Sequence, residues 1–482
     1  METLKEHGDS QPMLVKAGPF LHFTAVTDPT HIQTVFRSSK HLSSKPGTLF
    51  SLRNLLSSPA HVIPHYDADD SGMAATPRKG SNTEQKDRIH YLQASAVQKL
   101  LSGQHLVALS EKFVSVLDRN LASAVSSSEW VEHPDLYAFL QSTVSRSAIE
   151  SLMGSAILDR HPDLLSQFWE FDYSVPLFLR CLPKWLIPSA YRARSKLLKT
   201  VKSWHAHAHE NSDCSRTGPQ DPEWEPYFGS KLLRRRQEYA IETGWMDADA
   251  RASEDMGLMF ASNGNLLPAV FWFVYEALKD SVLRDSLLRE VEPCMDGEGK
   301  EKVDIMKLAT QPLLQSVYAE TLRLRVAIAV TRVSEQNDFN LGGYRVPKGQ
   351  PVVVFTRPAG LNEDAWRKAG RGGCVKKSLE EFWAERFLVD SRKEEEGQEK
   401  RKEFSMEGLA GCWLPYGGGQ RMCPGRHFAK NEMIGAFALL FTRYELELLP
   451  GGQEPKPDLR WFPIGGLPPV GKVPFRIRKR ST

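Results

Sequence analysis

Twenty consecutive positions, 256–275, carry no charged side chain. A helix of that length spans a lipid core or runs through the middle of a large folded protein, because nothing smaller buries it on every side. Its centre holds Asn263, Gly264, Asn265 and Pro268, and buried amides are costly in lipid. A core helix inside a large fold is the better account. The 482-residue length allows such a core and exceeds the usual single-domain size. Pro268 has no N–H, so the carbonyl of Gly264 loses its helical donor. A kink is expected there, with a free acceptor beside a ligand.

A second stretch carries chemistry. Residues 412–426 place Gly417, Gly418, Gly419 and the pair Pro424-Gly425 around Cys423, and helix-compatible sequence follows. Glycines let the chain turn tightly and let a flat ligand approach the backbone. A helix N-terminus stabilises a thiolate. That suits a haem iron ligand, though a buried cysteine in a turn is an ordinary alternative. Zinc held by Cys412, Cys423 and His427 is weaker, since no paired ligand spacing accompanies it.

The run from Tyr416 to Gly425 resembles the haem loop of the cytochrome P450 family, an aromatic followed by G-x-G-x-R-x-C-x-G, with Tyr416 where Phe is usual. The only E-x-x-R in the chain, Glu320 to Arg323, stands 103 residues before Cys423. It resembles the family's K-helix motif, and Arg386 in Phe382-Trp383-Ala384-Glu385-Arg386-Phe387 resembles its meander partner, with Ala384 replacing the expected Pro. The resemblance covers nearly the whole chain. It implies a mainly α fold with minor β, a helical bundle around haem b plus small sheets, as a single domain over 1–482. It also implies that Cys423 is the axial thiolate and that Tyr416 and Gly417 line the haem. Arg421 and Arg332 would face its propionates, and Glu320, Arg323 and Arg386 would brace the loop without doing chemistry. The W-x-x-x-R pair common on an earlier helix is absent, and Arg88 or His90 could substitute.

On the long helix the family commonly carries A/G-G-x-D/E-T, an acid–alcohol pair that relays protons. Here Gly264 holds the acid position and Asn265 the alcohol position. This resembles the branch of sterol 7α- and 12α-hydroxylases and prostacyclin synthase. Asn265 is then a functional candidate, with pairing to backbone groups as the plainer alternative.

The implied activity is a haem-thiolate monooxygenase oxidising an apolar small molecule (sterol, terpenoid or lipid-like), in a biosynthetic pathway. It would use molecular oxygen and electrons from NADPH–cytochrome P450 reductase. A reductase-independent isomerase or dehydratase of a lipid peroxide, and a non-catalytic haem-binding scaffold, stay open. The net charge of +3 gives no argument for nucleic acid. Six scattered cysteines form no disulfide framework and fit a reducing setting. The family implies association with the endoplasmic reticulum membrane, yet residues 1–12 are polar and show no anchor.

Along the chain the pattern predicts strands at 13–15 and 20–26, a helix capped by Asp28, and a long loop over 43–88. Helices follow at 89–101, 104–125, 135–153, 230–240, 277–294 and 308–326. A turn at 344–350 leads to a strand at 351–355, and the tail 459–479 reads as a hairpin. The charge run 392–402 reads as a solvated insertion. The aromatic, Pro-broken segment 168–194 is either core or an exposed apolar surface for membrane or substrate entry.

Overall fold

Asp28 opens the first helix, Pro29–Arg37, by accepting from the N–H groups of Thr30 (2.9 Å) and His31 (3.1 Å), with Pro29 in the first turn where no donor is needed. The structure is a computed structural model that describes residues 11–17, 21–296, 302–391 and 402–480. Within them the chain is mostly helical with several small sheets. It forms two compact units. One comprises residues up to 47, 268–423 and 433–480; the other comprises 48–267 and 424–432.

The first unit holds the main sheet. Its strands are β1 (Met13–Ala17), β2 (Leu21–Val26), β3 (Val326–Val333), β4 (Pro351–Phe355) and β5 (Ile464–Gly466), in spatial order β1-β2-β4-β3-β5. Only β2 and β4 run parallel, with Val352 opposite Thr24; the other pairs are antiparallel. Val26, Val352, Val354, Ile32 and Val35 bury one face of it. Helix Pro312–Arg325 leads directly into β3.

The second unit is a helical stack. Helix Leu164–Asp172 packs on Pro188–Asn211, which packs on Ala248–Asn263. A buried cluster fastens the last of these. Asp255 accepts from Arg236 Nε (2.9 Å) and Gln237 Nε2 (2.6 Å), and His205 Nε2 lies 3.1 Å from it.

Three expectations need correction. Residues 43–88 are not one loop: short helices occupy Lys45–Phe50, Ser51–Leu55 and Ile63–Ala68. The tail is not a hairpin, because β5 pairs with β3 while Phe475–Lys479 pairs with Tyr444–Leu448. Helix 277–294 is two helices, since Asp280 ends one and caps the next by accepting from Val282 and Leu283. Segment 168–194 divides between core and surface. Phe168, Trp169, Phe171 and Phe178 are core, while Trp185 is 80% exposed. The charge run 392–402 lies, apart from Lys402, outside the described residues, as do residues 1–10.

Candidate active site

The buried charge cluster in the first unit starts from a helix-borne spacing of three, which puts Glu320 and Arg323 on one face. Arg323 donates to Glu320 through Nε (2.7 Å) and Nη2 (2.8 Å), and Arg386 donates to the same carboxylate through Nε (2.8 Å). None of the three side chains reaches solvent. One carboxylate against two guanidiniums leaves a surplus positive charge, and backbone carbonyls surround it. Arg323 Nη1 donates to Gly360 and Leu379, and Arg386 donates to Cys374, Lys377, Ser378 and Glu381. Burial, the largest influence on Arg386, draws its pKa down, and Glu320 opposes it. The segment 374–386, which has no regular structure long enough to hold itself, is thereby pinned to the helix.

The same helix holds the cysteine loop. Trp413 Nε1 donates to the carbonyl of Ala319 (2.9 Å) and the Tyr318 hydroxyl donates to that of Tyr416 (2.8 Å). Neither Tyr318 nor Trp413 was singled out from sequence; an aromatic two residues before Glu320 was the available signal. Within the loop, Cys423 N–H bonds the Tyr416 carbonyl at 3.0 Å and Gly417 N–H bonds that of Leu414 at 2.9 Å. Gly417 and Gly419 take φ of +69° and +68°, which side-chain-bearing residues resist. A Cβ on Gly418 would fall 2.3 Å from the Phe36 ring. The loop thus presses against the first helix and presents Cys423, partly exposed, three residues before helix Arg426–Arg443.

Arg332 on β3 lies near Arg421. Burial first, then the Arg421 charge, lowers the Arg332 pKa. Its guanidinium donates to the Thr331 carbonyl at 2.9 Å, and no carboxylate among the described residues pairs with it. Two neighbouring guanidiniums, one half-buried without an acid, call for an anionic ligand. A thiol on a glycine cradle and cations suited to carboxylates together fit haem. They do not fit zinc: among the described residues no three His, Cys, Asp or Glu side chains come together to hold a metal ion.

In the second unit, helix Ala248–Asn263 stops and Leu266–Lys279 begins after Gly264 and Asn265, four residues before Pro268. The run 248–279 is long and apolar enough to cross a membrane, but 67% of its most apolar window is buried within the protein. Asn263 is buried, accepting from Ser145 Oγ at 2.8 Å and donating to the Met259 carbonyl at 3.1 Å. Gly264 is buried too, whereas Ala261 and Asn265, four apart, are exposed. One face of an otherwise covered apolar helix is open there.

Arg88 and His90, the candidates to substitute for the missing motif, both bond the preceding loop. Arg88 is buried and donates to Ser71, Ala74, Ala75 and Gln85, tying down the preceding loop. His90 takes Asp69 at its N–H and sits 3.0 Å from the Tyr66 carbonyl. Both are occupied in holding residues 66–75.

The chain is 32% identical to cytochrome P450 monooxygenase efuG of Hormonema carpetanum, covering 99% of this chain and 85% of that protein. It is 34% identical to cytochrome P450 monooxygenase fsoE of Humicola fuscoatra (82% and 71% covered). It is 24% identical to cholesterol 7-alpha-monooxygenase of Cricetulus griseus (83% and 76% covered). The family model described as cytochrome P450 matches residues 84–474, a span that holds both the cysteine loop and the three-residue charge cluster. A partly exposed cysteine on a glycine cradle, pinned to a helix that also bears the buried Glu320, thus stands in a chain that belongs to the cytochrome P450 family of monooxygenases.

Proposed function

We propose that this monooxygenase hydroxylates an apolar, ring-built small molecule of the sterol or terpenoid kind in a biosynthetic pathway. The observation that carries the reading is the open face at Ala261 and Asn265, at the break in a helical stretch with no charge between 256 and 275. Such a face offers a substrate apolar contact and one amide, and no counter-charge for an ionic group. The likeness to cholesterol 7-alpha-monooxygenase supports the same substrate class. The family match over 84–474 supports reading the whole chain as one domain.

Haem, when bound, supplies the oxygen chemistry. The chain's part is to hold and position. Cys423 Sγ would hold the haem iron, Tyr416 and Gly417 would line the cofactor, and Arg332 and Arg421 would receive its propionates. Glu320, Arg323 and Arg386 keep the loop in place. Asn265 orients water at the helix break, beside the main chain of Gly264. Each turnover puts one oxygen atom of O2 into a C–H bond and releases the other as water. Two electrons, passed from NADPH through cytochrome P450 reductase, and two protons complete the balance.

Trp185 and Leu186, exposed beside Arg180 and Lys184, support contact with an anionic membrane surface such as that of the endoplasmic reticulum. The test of the function is the reduced, carbon-monoxide-bound spectrum of the protein and of Cys423→Ala, followed by titration with cholesterol as the probe sterol. A red-shifted Soret band lost in the variant, a sterol-induced spectral change and a hydroxylated product formed only with reductase are expected. Turnover of a lipid hydroperoxide without reductase, and none of a sterol with it, overturns the reading in favour of an isomerase.

A further inference from the structure

Gly264 ends its helix with φ −60° and ψ −26°, ordinary helical values that ask for no glycine. The reason for the missing side chain lies across from it. A Cβ at Gly264 would fall 2.7 Å from Oδ1 of Asp172 and 2.9 Å from the Phe260 ring. The carboxyl of Asp172, at the end of helix Leu164–Asp172, fills the space where a side chain of residue 264 would stand. Asp172 is 2% exposed, and its Oδ1 has no hydrogen-bond partner among the described residues. A buried carboxyl oxygen left without a partner is rare and costly, and such groups concentrate where chemistry uses them.

We propose that Asp172 supplies the acid function that the interrupted helix lacks, passing protons across Gly264 to the open face at Asn265. Asp172 acts through Asn265 and is a positioning residue in a proton path, not a group that touches substrate. The inference rests on reading Gly264 and Asn265 as the oxygen-side stretch. Its chemistry balances: Asp172 gives up its carboxyl proton, regains one from bulk water, and is unchanged after the two protons of each turnover have passed. Burial pushes this carboxyl up to about 8, so it holds a proton to give at neutral pH. The titratable groups that feel it are Tyr137, on helix Leu136–Leu140, and Tyr173, its chain neighbour; Asp135 also acts on both tyrosines. Burial is the sole influence on Asp172 itself, so no cation draws its pKa back.

The experiment uses haem-loaded protein with NADPH–cytochrome P450 reductase and no organic substrate. It compares wild type, Asp172→Asn, Asn265→Ala and the exchange Asp172→Gly/Gly264→Asp, which clears the space that the new side chain needs, each checked for its reduced carbon-monoxide spectrum. With no substrate, oxygen leaves either as hydrogen peroxide, after two electrons and two protons, or as two waters, after four of each, and an impaired proton path shifts the share toward peroxide. Asp172→Asn is expected to slow NADPH oxidation by about tenfold or more, to raise the share of electrons recovered as peroxide, and to flatten the alkaline limb of the pH profile. The exchange variant, which returns the acid to the helix, is expected to reverse these changes. Independently of turnover, infrared spectra of protein carrying isotope-labelled aspartate should show a protonated carboxyl that titrates at alkaline pH and vanishes in Asp172→Asn. An unaltered peroxide share and pH profile in Asp172→Asn, with Asn265→Ala altered, overturns the inference alone. A silent Asn265→Ala overturns the reading beneath it, and absence of the titrating carboxyl overturns the inference whatever the kinetics.

Discussion

Replacing Glu320 with glutamine keeps the shape of the buried cluster and removes its only negative charge. The carboxylate takes four donors: Arg323 Nε and Nη2, Arg386 Nε and the Trp383 N–H at 3.1 Å. Oε2 takes one of them and Oε1 takes three. The new amide nitrogen fits best at Oε2, where it opposes Arg323 Nε donor to donor. Two guanidiniums then share a site with no exposure to water and no counter-charge. Removing one partner of a buried ion pair costs about 3–5 kcal/mol, a large share of the roughly 5–15 kcal/mol that holds a folded protein. Urea titration followed by tryptophan emission reads this loss, and two of the eleven tryptophans, Trp383 and Trp366, have their rings 5.4 and 5.8 Å from the Arg386 and Arg323 guanidinium carbons. The comparison is Asp338→Asn, which breaks a pair with an 81% exposed Arg345. Solvent screening makes an exposed pair of that kind contribute little. A midpoint shift for Glu320→Gln no larger than for Asp338→Asn would falsify the claim that this cluster braces the loop.

Other substitutions probe different parts. Gly418→Ala forces a Cβ into the Phe36 ring; overpacking of this kind costs about 1–3 kcal/mol, and a weakened thiolate-haem band in the reduced carbon-monoxide spectrum is the expected sign. Asp172→Asn should stabilise the fold near neutral pH. The folded carboxyl, pushed up to about 8, keeps a proton that the unfolded chain releases near its ordinary value, so wild-type stability falls as pH rises from there toward about 8. At about pH 7.5 the ceiling on that loss is roughly 5 kcal/mol. An unsatisfied amide returns about 1–3 kcal/mol of it, so melting temperatures should favour the variant at pH 7.5 and wild type near about pH 4; a variant less stable at both would sink the argument. Trp185→Asp, at an 80% exposed position, should reduce sedimentation with anionic liposomes while leaving the absorption spectrum unchanged, and undiminished sedimentation would remove the membrane contact.

What sequence patterns reveal here is what short-range physics decides. Asp28 with Pro29, and Ser230 before helix Lys231–Glu242, mark helix starts through bonds that span two or three residues. The break at Gly264–Asn265 is legible for the same reason, since Pro268 has no N–H to offer the carbonyl of Gly264, four residues back. The short helices within 43–88 carry too few apolar residues to show a period, and long-range bonds such as Arg194 Nη1 to the Asn54 carbonyl (2.6 Å) help hold them. The tail fails as a hairpin because its strands find partners in β3 and in Tyr444–Leu448, and pairing at such range leaves no local mark. Asp172 shows the limit most sharply. Its carboxyl meets Gly264 across 92 residues of sequence, and only the packing of three helices brings them together. A motif read along the helix therefore records a lost acid at Gly264. In the folded chain a carboxyl stands where that side chain would have been, so the glycine reads as room made for an acid carried by another helix.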